Sequence, residues 1–212
     1  MAGDLTTTSY AILGLLGVRP WTPYELAQQM DRSLGQFWPR ARSKIYEEPK
    51  KLVAHGLAKA SNEAVGKRPR TVYSITPAGR KALRAWVKTP VTSTPTLDLE
   101  HLVRVFFAEH GTKADLQARL DELREWTDTQ AQLGVEISGP YLDGTGPFPE
   151  RLPWLVLVGR FLDDFEKLVL EWTTWAAEVI GDWPDDVTKA QPDIAALQAM
   201  ARRNAEIVHR GD

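Results

Sequence analysis

The sequence contains no cysteine. That excludes disulfides, a cysteine nucleophile, Cys-ligated zinc and iron–sulfur clusters. It also fits a reducing compartment. Long hydrophobic runs are missing as well. The apolar stretch 10–18 is too short to span a bilayer, and it follows Asp4 with no Lys or Arg before it, unlike a secretory signal. A cytoplasmic protein with no membrane partner is expected. Histidine is scarce: His55, His101, His110 and His209 are scattered without ligand spacing. There is no Gly-x-Ser-x-Gly, His-Glu-x-x-His, P-loop or dinucleotide fingerprint. Asp163 and Asp164, beside Glu166 and Lys167, read as the solvated face of a helix rather than a catalytic pair. The expectation is therefore no catalytic residue, no metal site, no cofactor and no enzymatic activity.

What is present is an ordinary globular composition, 43% hydrophobic and 25% charged over 212 residues, which suits one or two domains. The net charge of −2 conceals an asymmetry. Residues 1–90 hold 15 Lys and Arg against 6 Asp and Glu, a net of +9, and residues 91–212 carry a net of −11. A basic first half points to a polyanionic partner; solvated charge with no partner is the bland alternative. The stretch 88–97, KTPVTSTPTL, has two prolines and four threonines and reads as a linker. It lies where the charge changes sign, so the boundary is placed between domains 1–90 and 91–212.

The first domain reads as three helices, two strands and a fourth helix. Thr6, Thr7 and Thr8 can cap a short apolar helix over 8–16. Thr22-Pro23-Tyr24-Glu25 is a capping box with proline at the first helical position, and its helix runs to about Leu34. The segment 35–38 is a turn. A third helix is expected from Pro39 to Gly56, bent where Pro49 removes a backbone hydrogen bond. Segments 57–62 and 71–76 form a β-hairpin with tip 63–70, and Thr76-Pro77 caps the fourth helix.

Three helices and a hairpin with a basic tip make a winged helix-turn-helix. A helix fits the DNA major groove, and a hairpin tip reaches phosphates or an adjacent groove. The candidate DNA-binding residues are Arg40, Arg42, Ser43, Lys44, Tyr46 and Lys50 on the third helix and Lys67, Arg68 and Arg70 on the wing. Arg42, Ser43, Lys44 and Tyr46 are assigned to base reading, and Arg40, Lys50 and the wing cations to phosphates. Each feature alone is as readily a solvated surface. Glu47 and Glu48 would repel phosphate, so only one face of the helix is expected to approach DNA.

Residues 5–87 resemble the DNA-binding domain of the PadR family of transcriptional regulators. The resemblance rests on Tyr10-Ala11-Ile12-Leu13-Gly14-Leu15-Leu16, Pro23-Tyr24-Glu25-Leu26, Ser43-Lys44-Ile45-Tyr46 through Leu52 to Gly56-Leu57, and Val72-Tyr73-Ser74-Ile75-Thr76-Pro77-Ala78-Gly79. One departure is that Glu47 follows Tyr46 where the family often has proline; here the proline is Pro49.

Residues 97–212 read as all-helical. Segments 97–110 and 113–137 have helical apolar spacing, 138–153 is expected to be a loop, and a last helix spans about 192–209. Between them Trp154, Val158, Phe161, Phe165, Leu168, Trp172, Trp175 and Val179 form a heptad seam, widened by Leu155, Leu162, Val169 and Ala176. So broad a stripe argues for a partner helix from a second copy of the chain; internal packing is the alternative. The resemblance implies the same, a dimer paired through a helical C-terminal region. It also implies a pseudo-palindromic operator in double-stranded DNA and control by a small effector. Trp38, Trp154, Trp172 and Trp175 are candidates to line a pocket for an apolar or aromatic effector, although a helical tryptophan is more often core.

The expected fold is mainly α: an N-terminal winged helix-turn-helix domain with a small β-hairpin wing, followed by an all-helical dimerisation domain. The expected function is a homodimeric, DNA-binding transcriptional regulator, read first as a repressor. The rival is a winged-helix protein-interaction module without DNA binding, which needs no basic wing or recognition helix.

Overall fold

Threonine caps set where the first two helices begin. In the computed structural model, which describes residues 4–65 and 68–209 and only the backbone of residues 64, 65, 68 and 69, α1 (Thr7–Val18) starts at Thr6. The Thr6 hydroxyl accepts from the Ser9 N–H at 3.3 Å, and Ser9 Oγ accepts from the Thr6 N–H at 2.9 Å. In α2 (Pro23–Leu34), Thr22 and Glu25 close the expected capping box, with Glu25 Oε2 2.8 Å from the Thr22 nitrogen. These bonds satisfy N–H groups that a helix start leaves without partners.

The third helix, α3 (Arg42–Ala54), starts three residues later than expected. Trp38, Pro39, Arg40 and Ala41 offer no side-chain oxygen as a cap, and the Arg40 guanidinium takes the Pro39 carbonyl at 2.6 Å. Pro49 stays inside the helix and is buried. The helix ends in a Schellman motif: the Gly56 N–H bonds the Val53 carbonyl and the Leu57 N–H the Leu52 carbonyl, both at 2.9 Å, with Gly56 at φ +69°.

The wing is longer than expected. Strands β1 (Ala58–Val65) and β2 (Arg68–Ile75) pair antiparallel, with Glu63 opposite Arg70 and Val65 opposite Arg68. Much of the expected tip is therefore strand. Polar cross-strand pairs carry the ladder outward: Arg70 reaches Glu63 at 3.4 Å and Thr71 Oγ1 donates to Asn62 Oδ1 at 3.4 Å. At the root, Trp21 bridges Tyr73 through two backbone hydrogen bonds, of 3.0 and 2.8 Å. The Thr76 hydroxyl caps α4 (Pro77–Lys88) by accepting from the Gly79 N–H at 3.0 Å, and it donates to the Gly56 carbonyl at 2.7 Å. Gly79 is fixed by this closeness, because a Cβ there would lie 2.1 Å from the Leu57 carbonyl oxygen.

The chain divides into two compact units, Met1–Pro95 and Thr96–Asp212. The core of the first is Ile12, Leu13 and Leu16 of α1, Leu26 and Met30 of α2, and Ile45 and Leu52 of α3. Burial of each contributes about 1.5–3 kcal/mol.

The second unit contains α5 (Glu100–Phe106), α6 (Lys113–Leu142), α7 (Leu152–Gly181) and α8 (Ile194–His209). The expected loop is shorter at both ends. α6 continues through Pro140, which forgoes the hydrogen bond to the Glu136 carbonyl two residues before the helix ends at Leu142. The Thr145 N–H then takes the Pro140 carbonyl at 2.8 Å. Helices α6 and α7 pair antiparallel, since contacts descend one helix as they climb the other. Lys113 Nζ bonds the Gly181 and Trp183 carbonyls, each at 2.7 Å; Leu116 and Leu120 pack with Ala176 and Ile180; Arg124 Nη2 reaches the Thr173 carbonyl at 3.1 Å; Trp126 meets Phe165 edge-on at 6.1 Å.

Two stability predictions follow from these elements. Burial pushes the Glu25 carboxyl up, but hydrogen bonds from the Thr22 N–H and hydroxyl, with the Arg19 guanidinium, outweigh it and hold the group below the ordinary range. A lowered folded value means stabilisation that is present above the unfolded value of about 4.3 and lost as pH falls through the folded one. Thr22→Ala is expected to cost about 1 kcal/mol at neutral pH and less at about pH 3, read from thermal melts at both. Leu120→Ala is expected to cost about 2–5 kcal/mol in denaturant unfolding.

Candidate nucleic-acid interface

Helix α3 has two faces of opposite character. Ile45, Glu48, Pro49 and Leu52 are buried, while Ser43, Tyr46, Glu47 and Lys50 are exposed. Both sets have the i, i+3, i+4, i+7 spacing of one helical face. The structure thus brings Ser43, Tyr46 and Lys50 together on the outward face. It also separates the two glutamates: Glu48 turns inward, and Glu47 stays outward, with its carboxylate 4.0 Å from Lys44 Nζ.

The remaining candidates flank this face. Arg42, first residue of α3, is exposed and its Nη2 lies 3.2 Å from Asp31 Oδ2 of α2. Arg40 precedes the helix and stacks on Trp38, with its guanidinium carbon 4.0 Å from the ring centre. Trp38 in turn donates Nε1–H to Thr8 Oγ1 of α1 at 3.4 Å, so its ring is a fixed platform for the cation. On the wing, Arg70 is paired with Glu63 across the ladder. Arg68 begins β2, and Lys67 lies outside the described residues. No side chain caps α3, whereas α1, α2 and α4 each carry a threonine cap.

Two residues support this surface through contacts that the sequence does not show. Asp31 holds Arg42 from another helix, so no spacing rule reveals the pair. Glu48 was legible only through its register with Ile45 and Leu52, which marks it as inward. Its Oε2 accepts a 2.6 Å hydrogen bond from Ser9 Oγ.

In the second unit, the buried stripe of α7 is Val169, Thr173, Ala176 and Ile180. This is one residue round from the expected seam and includes two of its flanking positions. Small Thr173 and Ala176 let α6 approach to helix-packing distance. Of the seam, Phe165, Trp172 and Val179 are half-buried beside this stripe. Trp154, Val158, Phe161, Leu168 and Trp175 remain exposed, Phe161 at 68% and Trp154 at 61%. Helix α8 buries none of its residues and exposes Ile194, Leu197, Met200, Ile207 and Val208.

A cavity of about 420 Å³ lies between α5 and the start of α6. Val103, Phe107 and Leu116 give it an apolar wall, and Arg104, Arg119, His110 and Asp115 give it a polar one. Trp154, Trp172 and Trp175 do not line it. Arg119 Nε is buried there without a hydrogen-bond partner. Among the described residues, no group of three His, Asp or Glu is placed to hold a metal ion, and no helix is long and apolar enough to cross a membrane.

Comparison with known proteins agrees with this geometry. The model of the transcriptional regulator PadR-like family matches residues 12–85. The negative transcriptional regulator PadR of Bacillus subtilis (strain 168) is 31% identical over 99 residues, which cover 46% of this chain and 54% of that protein. The chain spans about half the length of the curated relatives it matches. The crystal structure of Bacillus subtilis PadR in complex with operator DNA has a TM-score of 0.71 at 22% identity, over 82% of this chain and 99% of that one. The same protein in complex with p-coumaric acid has a TM-score of 0.63 at 24% identity, over 82% and 98%. These structures share the winged-helix fold followed by a helical region. It is residues 12–85, which contain the two-faced α3 and the capped root of the wing, that match the model of the transcriptional regulator PadR-like family.

Proposed function

We propose that the chain is a sequence-specific DNA-binding regulator, acting as a homodimeric repressor on a pseudo-palindromic operator and released by a small effector. The observation that carries the reading is the outward face of α3. Ser43, Tyr46 and Lys50 stand on it beside Glu47, which is paired with Lys44; Arg40 and Arg42 stand at its open N-terminus, and its apolar residues are turned away. Such a face suits base edges and phosphates together. The basic wing, with Lys67, Arg68 and Arg70, supplies backbone contacts beside it.

The carboxylate partners of Arg42, Lys44 and Arg70 do not oppose this. Exposed pairs are worth about 0–1 kcal/mol, so phosphate displaces them readily. The homodimer is supported by the exposed apolar positions of α7 and by α8. Both are more apolar than a solvated helix needs to be, and a second copy would cover them through a twofold interface. Two recognition helices would then face half-sites about one DNA turn apart. The effector reading is supported by the α5–α6 cavity, where an apolar wall faces the guanidinium groups of Arg104 and Arg119, a pairing that suits a small aromatic acid. Bacillus subtilis PadR, crystallised with p-coumaric acid, binds a ligand of that class.

The test is fluorescence anisotropy on duplex DNA from upstream of the protein's own coding sequence, against a shuffled duplex, over a salt series. Tight binding to the first alone is expected, with log affinity falling by about 0.9 per neutralised phosphate per unit of log salt. Small aromatic acids added to the complex are expected to weaken it. Binding to neither duplex at low salt would favour the protein-interaction alternative. Lys67→Ala with Arg68→Ala is expected to weaken binding to both duplexes and flatten the slope; unchanged affinity would remove the wing from the mechanism. Phe161→Glu with Leu168→Glu changes exposed positions only, and is expected to give folded monomers by sedimentation. A stable dimer would exclude this face.

A further inference from the structure

We propose that Glu48 is a positioning residue, whose buried carboxylate, tied to Ser9 of α1, sets the rotation at which α3 presents Tyr46 and Lys50. This rests on the DNA-reading role of α3 proposed above.

Glu48 is only 8% exposed, among Ile45, Pro49 and Leu52 on the inner face. A carboxylate there loses its hydration and requires compensation. Ser9, wholly buried, provides it: Oγ donates to Glu48 Oε2 at 2.6 Å. A carboxylate oxygen only accepts, so the Ser9 proton goes to Glu48, while Ser9 Oγ itself accepts from the Thr6 N–H at 2.9 Å. Lys51 supplies the countercharge, with Nζ 3.9 Å from Glu48 Oε1 and a further hydrogen bond to the Asp4 carbonyl. Both ties run from α3 to the start of α1.

The backbone explains why the helix needs a tie at this point. Pro49 has no N–H to bond the Ile45 carbonyl, and a residue before proline is disfavoured in the helical conformation. That residue is Glu48. At its centre, α3 is one backbone hydrogen bond short, and Ile45 and Leu52 hold it only through contacts that are non-directional. The Ser9–Glu48 bond is charge-assisted and directional. It therefore fixes an angle that apolar packing leaves soft. With side chains reaching about 5–6 Å from the helix axis, a rotation of about 20° moves the tip of an outward side chain by about 2 Å. That is enough to break a base-edge hydrogen bond, whose distance range is about 0.5 Å. A phosphate contact through a flexible lysine tolerates it.

The test uses the full chain and a duplex selected by the wild type from a random pool, with a shuffled duplex as control. Ser9→Ala is expected to weaken binding to the selected duplex about tenfold, the worth of one charge-assisted hydrogen bond. Affinity for the shuffled duplex and the salt slope should stay within about twofold. Glu48→Ala should match it, the double variant should be no worse than either single one, and Glu48→Gln, which keeps an acceptor for Ser9, should recover most of the loss. Equal loss on both duplexes, or no loss in a folded Ser9→Ala protein, would overturn the proposal. A second measurement needs no DNA. Amide hydrogen exchange at 44–52 is expected to quicken in Ser9→Ala while α2 and α4 stay unchanged. Unchanged exchange at 44–52 overturns the tie, whether or not DNA binds. A wild type that selects no duplex overturns instead the DNA-reading role on which the proposal rests.

Discussion

Burial of Ile45, Pro49 and Leu52 against α1 and α2 constrains the whole first domain. A 13-residue helix has few positions to spare, and here about a third of them go into the core. The rest must remain polar and must project on the other side. That division fixes what α3 can offer to a partner: a hydroxyl, a phenol, cations and the Glu47 carboxylate paired with Lys44, with no apolar side chain left on the outward face. The same packing draws Glu48 inside, where a carboxylate is tolerable only because Ser9 and Lys51 meet it. The outward polar face and the core are thus two sides of one register.

Around α3 the domain is joined by hydrogen bonds that each serve two elements. The Thr76 hydroxyl caps α4 and holds the Gly56 carbonyl at the end of α3. Trp21 joins the wing to the turn after α1, and Trp38 bonds α1 while carrying Arg40 on its ring. These links place the wing root and α3 on common supports, so neither can shift without disturbing the other. The cations are treated differently. Asp31, Glu47 and Glu63 hold Arg42, Lys44 and Arg70 in exposed pairs that are weak by nature. Those pairs leave the excess of nine positive charges in 1–90 intact.

In the second domain the division follows residue size. Thr173 and Ala176 pack on α6 because they are small enough for close approach. The large aromatic residues of the same helix fall beside or beyond that contact. The heptad stripe therefore does not vanish into the hairpin of α6 and α7; much of it faces outward, as does all of α8. Lys113 and Arg124 cross between the two helices to backbone carbonyls, so this pairing does not depend on apolar contacts alone.

Local chemistry made most of the fold legible. Thr22-Pro23-Tyr24-Glu25 marks its helix start to the residue, Gly56 marks a helix end, and the hairpin and α4 follow from β-branched residues and Thr76-Pro77. Errors arose where local signals lacked information about neighbours. Pro39 looked like a helix opener, but nothing near it caps a helix. Pro140 reads as a breaker, but in the last turn of α6 the bond it forgoes to the Glu136 carbonyl leaves the preceding turns of the helix intact. The wing looked short because the ion pair of Glu63 and Arg70 spans seven residues. The outward cations were readable from composition and order alone. By itself the sequence determined the elements, their order and the charge of the first domain, because caps, periodicity and charge act between residues close along the chain. Only the tertiary structure decided that Glu48 turns inward to Ser9, that Arg42 meets Asp31, and which stripe of α7 faces α6. Those outcomes depend on which distant residues the packing of the helices brings within hydrogen-bond or van der Waals reach.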